Sequence, residues 1–282
     1  MKNYIFLHVP KTAGSMFRQI VKSNFAEEAF IDNPLMSELC YSSRQIERLF
    51  YLYPFRFYMG HVYRLQACLD ANVETELISF VRDPIEKAFS SYYYLRGRGM
   101  THANHPTKRH TFIEMVEYYL NLQEADSFDL DSGQLKWLLG ARNCDLSLVK
   151  ESVESGRLHL FPTAAFDDAC IVLEKLFPQD FKDCSYESRV NVSSKENNDS
   201  LKEAYAAAER LPWIEEDRKL LKLAEESFES KLVELGLTGP ALEDSRADFK
   251  ERCLPKVSLE ENKPSPSTLR KVKNRLLRRI KH

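Results

Sequence analysis

Lys11 stands in the stretch HVPKTAGS (His8 to Ser15), with Thr12, Gly14 and Ser15 beside it. The apolar run NYIFL precedes it and the helically spaced SMFRQIVKSNF follows. A lysine, two hydroxyls and a glycine at such a junction suit the holding of a phosphate-like anion. A strand that feeds a helix aims unpaired backbone N–H groups and a positive dipole end at the turn between them. Lys11 adds a mobile charge, and Gly14 lets the backbone come close.

A second cation stands at a second junction. TELISFV (Thr75 to Val81) runs into RDPIEKAFSSYYYLR, which puts Arg82 at the strand end and Ser90 eight residues on. Eight residues are about two helical turns, so a guanidinium fork and a hydroxyl can grip a second phosphate together. An ion pair with Asp83 or a neighbour is the bland alternative for Arg82. The first loop is not a Walker A loop, because Lys11 precedes the glycine instead of following it. Nor does an acidic residue end the second strand as in a Walker B motif, since Arg82 is there and Asp83 is placed to cap the helix.

The elements that must position these residues alternate. NYIFLHV and TELISFV are apolar on both faces, as parallel strands buried on both sides are. RFYMGHVY reads as a short strand ending near His61, and RLHLFPT as another. Helices are expected at SSRQIERLFYLY, TFIEMVEYYLNL, SGQLKWLLG, LSLVKESVES, AFDDACIVLEKLF, Ser200 to Arg210 and Pro212 to Leu235, with Gly236 as a C-cap. Asp83, Pro84 and Glu86 supply a cap, a first-turn proline and a capping box for the helix after Arg82. Strands alternating with helices imply a three-layer α/β/α fold with a mainly parallel central sheet.

The chain has 282 residues, 43% of them hydrophobic, with a formal net charge of -2. It can bury a large core, and any anion site must be local. The six cysteines form no CxxC pair and no zinc-finger spacing with histidine, which reads as thiols in a reducing compartment. No stretch approaches the roughly 20 apolar residues of a membrane span, and a soluble, cytoplasmic protein is expected.

HVPKTAGS resembles the 5′-phosphosulfate-binding loop of sulfotransferases that use 3′-phosphoadenosine 5′-phosphosulfate (PAPS). FVRDPIEKAFSSYYYLR resembles their 3′-phosphate motif. FYMGHV resembles the Gly-His segment of carbohydrate sulfotransferases of the heparan sulfate 2-O-sulfotransferase type. The resemblance covers roughly the first hundred residues. It implies a P-loop-NTPase-like sulfotransferase fold and in-line transfer of a sulfuryl group from PAPS to an acceptor hydroxyl, expected on a saccharide, without a metal. It implies that Lys11 stabilises the leaving 5′-phosphate and that Thr12, Ala13, Gly14, Ser15 and Met16 supply hydroxyl and backbone donors. Arg82 and Ser90 would hold the 3′-phosphate, and His61 would be the base. Relatives often carry a histidine two residues before that base, where this chain has Met59. Arg189, in SRVNVSS, is a further candidate for the 3′-phosphate or an acidic acceptor. His8 reads as a strand residue and Tyr92, Tyr93 and Tyr94 mainly as helix packing.

Residues 1–238 are expected to form the sulfotransferase domain and 239–268 a linker or extended segment. Residues 269–282 are expected to form a basic amphipathic helix, with Leu269, Val272, Leu276, Leu277 and Ile280 on one stripe. That helix suits an anionic membrane surface, a glycan, or packing on the body itself. No nucleic-acid partner is expected. Two other functions stay open: a magnesium-dependent nucleotide kinase, and a non-catalytic module that grips nucleotide or glycan.

Overall fold

Tyr4–Leu7 forms β1 with all four side chains buried, the outcome an unbroken apolar run requires. The computed structural model describes residues 2–31, 40–53, 55–98, 111–121, 133–140, 145–186 and 198–253. β1 leads into α1 (Gly14–Phe25), then β2 (Ala29–Ile31), α2 (Ser43–Leu52), β3 (Phe57–Gly60), α3 (Leu65–Asp70) and β4 (Glu76–Val81). α4 (Pro84–Arg98), α5 (Phe112–Asn121), α6 (Gln134–Leu139) and α7 (Leu146–Glu154) follow, and then β5 (Leu158–Pro162), α8 (Phe166–Leu176), α9 (Asn198–Ala208), α10 (Ile214–Glu234) and α11 (Pro240–Arg252).

The five strands form one sheet in the order β2-β3-β1-β4-β5, and every pairing is parallel. Phe6, Phe57 and Phe80 pack one face against Phe17, Ile20 and Val21 of α1 and Ile171 and Val172 of α8. Ile5, Tyr58 and Leu77 pack the other against Ile46 of α2, Leu65 of α3, Val149 of α7 and Leu220 of α10. The three-layer α/β/α architecture with a parallel sheet is therefore observed. A third cluster, beside the sheet, joins α4, α5 and α9 through Ile85, Phe112 and Ala207.

Several local expectations meet the structure differently. Asp83 does cap α4, its Oδ1 accepting from the Glu86 N–H at 2.9 Å. The Glu86 carboxylate turns to Arg82 instead of closing a capping box. β2 and α3 were not foreseen. Gly236 ends α10 at φ 68°, as expected. The expected linker at 239–268 is corrected over its first part: Pro240–Arg252 is helical, and its Phe249 is 2% exposed in the α1-side core. Two arginines fasten α11. Arg246 grips both oxygens of Asp168 at 2.8 and 2.7 Å, and Arg252 grips both of Glu174 at 2.9 Å. Residues 254–282, with the rest of the linker and the basic helix, lie outside the described residues. No described helix is long and apolar enough to cross a membrane.

Candidate active site

The loop after β1 is built under strain. Lys11 and Ala13 have φ of 67° and 63°, the left-handed region. That conformation costs a residue with a Cβ roughly 1–2 kcal/mol, and such residues cluster where function over-determines the backbone. Thr12 between them is fully buried, and its hydroxyl donates to the Val9 carbonyl at 2.8 Å. Its side chain therefore pins the loop, a correction to its expected role as a hydroxyl donor to ligand. Ala13 is the N-cap of α1, with no side-chain cap and no acidic residue in the first turn. The N–H groups of Met16 and Phe17 both donate to the Ala13 carbonyl. Met16 thus has its donor committed, whereas among the described residues no backbone acceptor meets the Gly14 and Ser15 amides. Ser15 is exposed.

Gly14 has a reason of its own. A Cβ there would lie 1.8 Å from Nε2 of His8. The missing side chain makes room for an imidazole, in addition to any ligand.

That imidazole belongs to the site's histidine pair. β1 and β3 run in parallel with Leu7 opposite Gly60, so the next pair in register is His8 and His61. Their rings stack with centroids 4.0 Å apart, inclined by 24°. Nδ1 of His61 lies 3.0 Å from the His8 carbonyl oxygen. A carbonyl only accepts, so Nδ1 carries the proton and Nε2 keeps its lone pair. Burial lowers the pKa of His61 to about 4, with Arg18 and Arg64 adding to the effect and the hydrogen bond opposing it. His8 is also pushed well below the ordinary imidazole value, by burial first and then by His61, Arg18 and Lys11. Both rings are neutral near pH 7. Met59, two residues before His61, is buried in the α1-side core.

Arg82 follows β4 on the other side of β1. Its guanidinium is held by Glu86, with Nε and Nη2 at 3.2 and 3.1 Å from one carboxylate oxygen. This is the bland alternative, an ion pair with a neighbour, Glu86. An exposed pair of this spacing is worth only about 0.3–0.5 kcal/mol, so a phosphate can displace it. The backbone of Arg82 is held far more firmly. The buried Gln134 carboxamide accepts from the Arg82 N–H at 2.8 Å and donates to its carbonyl at 2.7 Å. Asp217 of α10, fully buried, in turn accepts from the amides of Gln134 and Leu135 at 2.8 and 3.0 Å. Burial pushes the Asp217 carboxyl up, against the pull of Lys87 and the α6 amides.

One face of α4 links the two cations. Glu86, Ser90 and Tyr94 are spaced by four and share that face. Arg82 is paired to Glu86, and Nζ of Lys11 lies 4.1 Å above the centre of the Tyr94 ring. The rise from Glu86 to Tyr94 is about 12 Å, with the half-buried Ser90 midway. Tyr92 belongs to the core, as expected of helix packing.

His61, Lys11, Gly14, Ser15, Arg82 and Ser90 thus lie beyond three neighbouring strand ends or on the helices that follow them. Arg189 lies outside the described residues. Sequence reasoning took His8 for a strand residue, whereas β1 ends at Leu7, and it missed Arg18, Gln134, Trp137 and Asp217. Only His8 carried a signal, since it stands one register step past β1 in the quoted loop.

No protein-family profile and no curated protein matches the chain. Among solved structures, the chain is similar to a sulfotransferase from Alicyclobacillus acidocaldarius at 14% identity and a TM-score of 0.47. The similarity spans 80% of this chain and 96% of that one. A likeness at that identity and score assigns neither family nor chemistry.

Proposed function

We propose that the chain is a sulfotransferase, moving a sulfuryl group from PAPS to an acceptor hydroxyl on a saccharide. One observation carries the reading. β3, β1 and β4 are neighbours, and their ends present a neutral histidine, an uncapped helix N-terminus beside Lys11, and Arg82. In open parallel sheets that end of the strands is where ligands bind.

The residues fit an anionic donor with two separated phosphates. The first turn of α1 offers amides without a cap or an acidic neighbour, and Lys11 supplies charge there. Arg82 and Ser90 supply a second grip along α4. PAPS contributes the activated sulfuryl group, whose bond to the 5′-phosphate oxygen breaks as the bond to the acceptor oxygen forms. Lys11 and the Gly14 and Ser15 amides stabilise the charge that develops on the leaving phosphate. His61 takes the acceptor proton at Nε2.

A base held at about pKa 4 is neutral at work but weak. Opposite charge nearby favours the protonated form, so a bound anionic nucleotide raises the basicity of His61 when it is needed. The saccharide acceptor and the 2-O-sulfotransferase likeness rest on the sequence motifs.

A thermal shift assay tests the reading. Stabilisation by 3′,5′-ADP and not by ATP with Mg²⁺ is expected. Stabilisation by ATP with Mg²⁺ alone favours a nucleotide kinase. Binding without transfer to any acceptor favours a non-catalytic module.

A further inference from the structure

α6 touches both ends of the site. Gln134 holds the backbone of Arg82 through two hydrogen bonds. Three residues on, the Trp137 indole Nε1–H donates to the His8 carbonyl at 3.1 Å. This is the carbonyl that accepts from His61 Nδ1 at 3.0 Å. A carbonyl has two lone pairs, and here each has a donor. The Trp137 ring also stands edge-on to His61, with centroids 6.0 Å apart at 87°. Trp137 is in turn covered by Arg64, whose guanidinium lies 4.7 Å from the ring centre and donates to the His61 and Tyr63 carbonyls at 2.6 and 2.9 Å. The helix is short, so its own hydrogen bonds hold it weakly. Buried Asp217 fixes its start.

We propose that α6 is the brace of the site, with Trp137 a positioning residue that locks His61 as the Nδ1–H tautomer and Gln134 tying Arg82 to the same rigid unit. The function invoked for His61 rests on the sulfotransferase reading; the lock does not. Without the indole N–H, the His8 carbonyl loses one of the two donors that fix its direction. His61 is then free to turn, and water enters beside it. The charged groups around the ring are Arg18 from α1 and Arg64 from its own loop, with His8 stacked beneath and Lys11 beyond His8.

The test is the tautomer and titration of His61, read from its imidazole ¹⁵N shifts in wild type, Trp137→Phe and Leu138→Ala. Wild type is expected to show Nδ1 protonated and Nε2 bare near neutral pH. Trp137→Phe is expected to populate the Nε2–H tautomer and to raise the titration midpoint from about 4 toward the ordinary imidazole value. Leu138→Ala, a core truncation in the same helix, should lower the melting temperature and leave both readings alone. A single unchanged tautomer and midpoint in Trp137→Phe would overturn the proposal, as would an Nε2–H tautomer in wild type. If Trp137→Phe does not fold, the unmodified protein decides. The Trp137 indole resonance, assigned with Trp213→Phe, must then shift at the midpoint of His61, and an indifferent resonance contradicts the shared carbonyl. Titration of the same samples with 3′,5′-ADP separates the two readings. Wild type that ignores the nucleotide removes the donor assignment and leaves the lock standing.

Discussion

The imidazoles of His8 and His61 lie face to face at 4.0 Å because they stand one register step past Leu7 and Gly60, the last paired residues of two parallel strands. The stack places one histidine under Gly14 and the other with a bare Nε2. Two neutral rings tolerate this contact, and one buried proton on either is opposed by Arg18.

Acid should therefore destabilise the fold earlier than its carboxylates alone would require. The folded pKa of both histidines lies below the unfolded value, so between about pH 6.5 and 4 the unfolded chain binds more protons and stability falls as pH falls. Melting temperatures across that window should drop in wild type and drop less in His61→Gln. Equal slopes in the two proteins would contradict the buried neutral state of His61.

Gly14→Ala should be costly although Gly14 opens a helix. Its Cβ has nowhere to go but into His8, and overpacking of this kind costs roughly 1–3 kcal/mol. Denaturant midpoints measure it. A neutral effect would mean that the His8 ring moves aside freely.

Arg82→Ala should weaken 3′,5′-ADP by on the order of 2 kcal/mol, since a charge-assisted grip is lost. Glu86→Gln releases Arg82 from its pairing and should leave affinity equal or slightly tighter. Calorimetry on both variants checks the assignment, and an unchanged affinity in Arg82→Ala would move the second phosphate elsewhere.

Truncation after residue 238 should destabilise the domain. It removes Phe249 from the core and the arginine pairs of α11 with Asp168 and Glu174. Phe249→Ala alone should cost about 3–5 kcal/mol, read from chemical unfolding. A truncated chain with an unchanged midpoint would return this segment to a linker.

Four of the five strands were legible in the sequence, because parallel strands buried on both faces are unbroken apolar runs, as in TELISFV; the short edge strand β2 was not. The anion loop was legible because its residue types are few and adjacent. What escaped was long-range. Asp217 reaches α6 from 83 residues away, and Gln134 reaches Arg82 from 52; no local pattern marks such partners. α11 escaped for a different reason. Its exposed face is densely charged, and one buried phenylalanine anchors it. Thr12 was assigned by its hydroxyl, but its full burial follows from a turn that local pattern does not specify.

Calorimetric titration with 3′,5′-ADP and with 5′-AMP tests the central claim most directly. A strong preference for the bisphosphate is expected, because only it engages both the Lys11 loop and Arg82. Equal binding of the two nucleotides would contradict it.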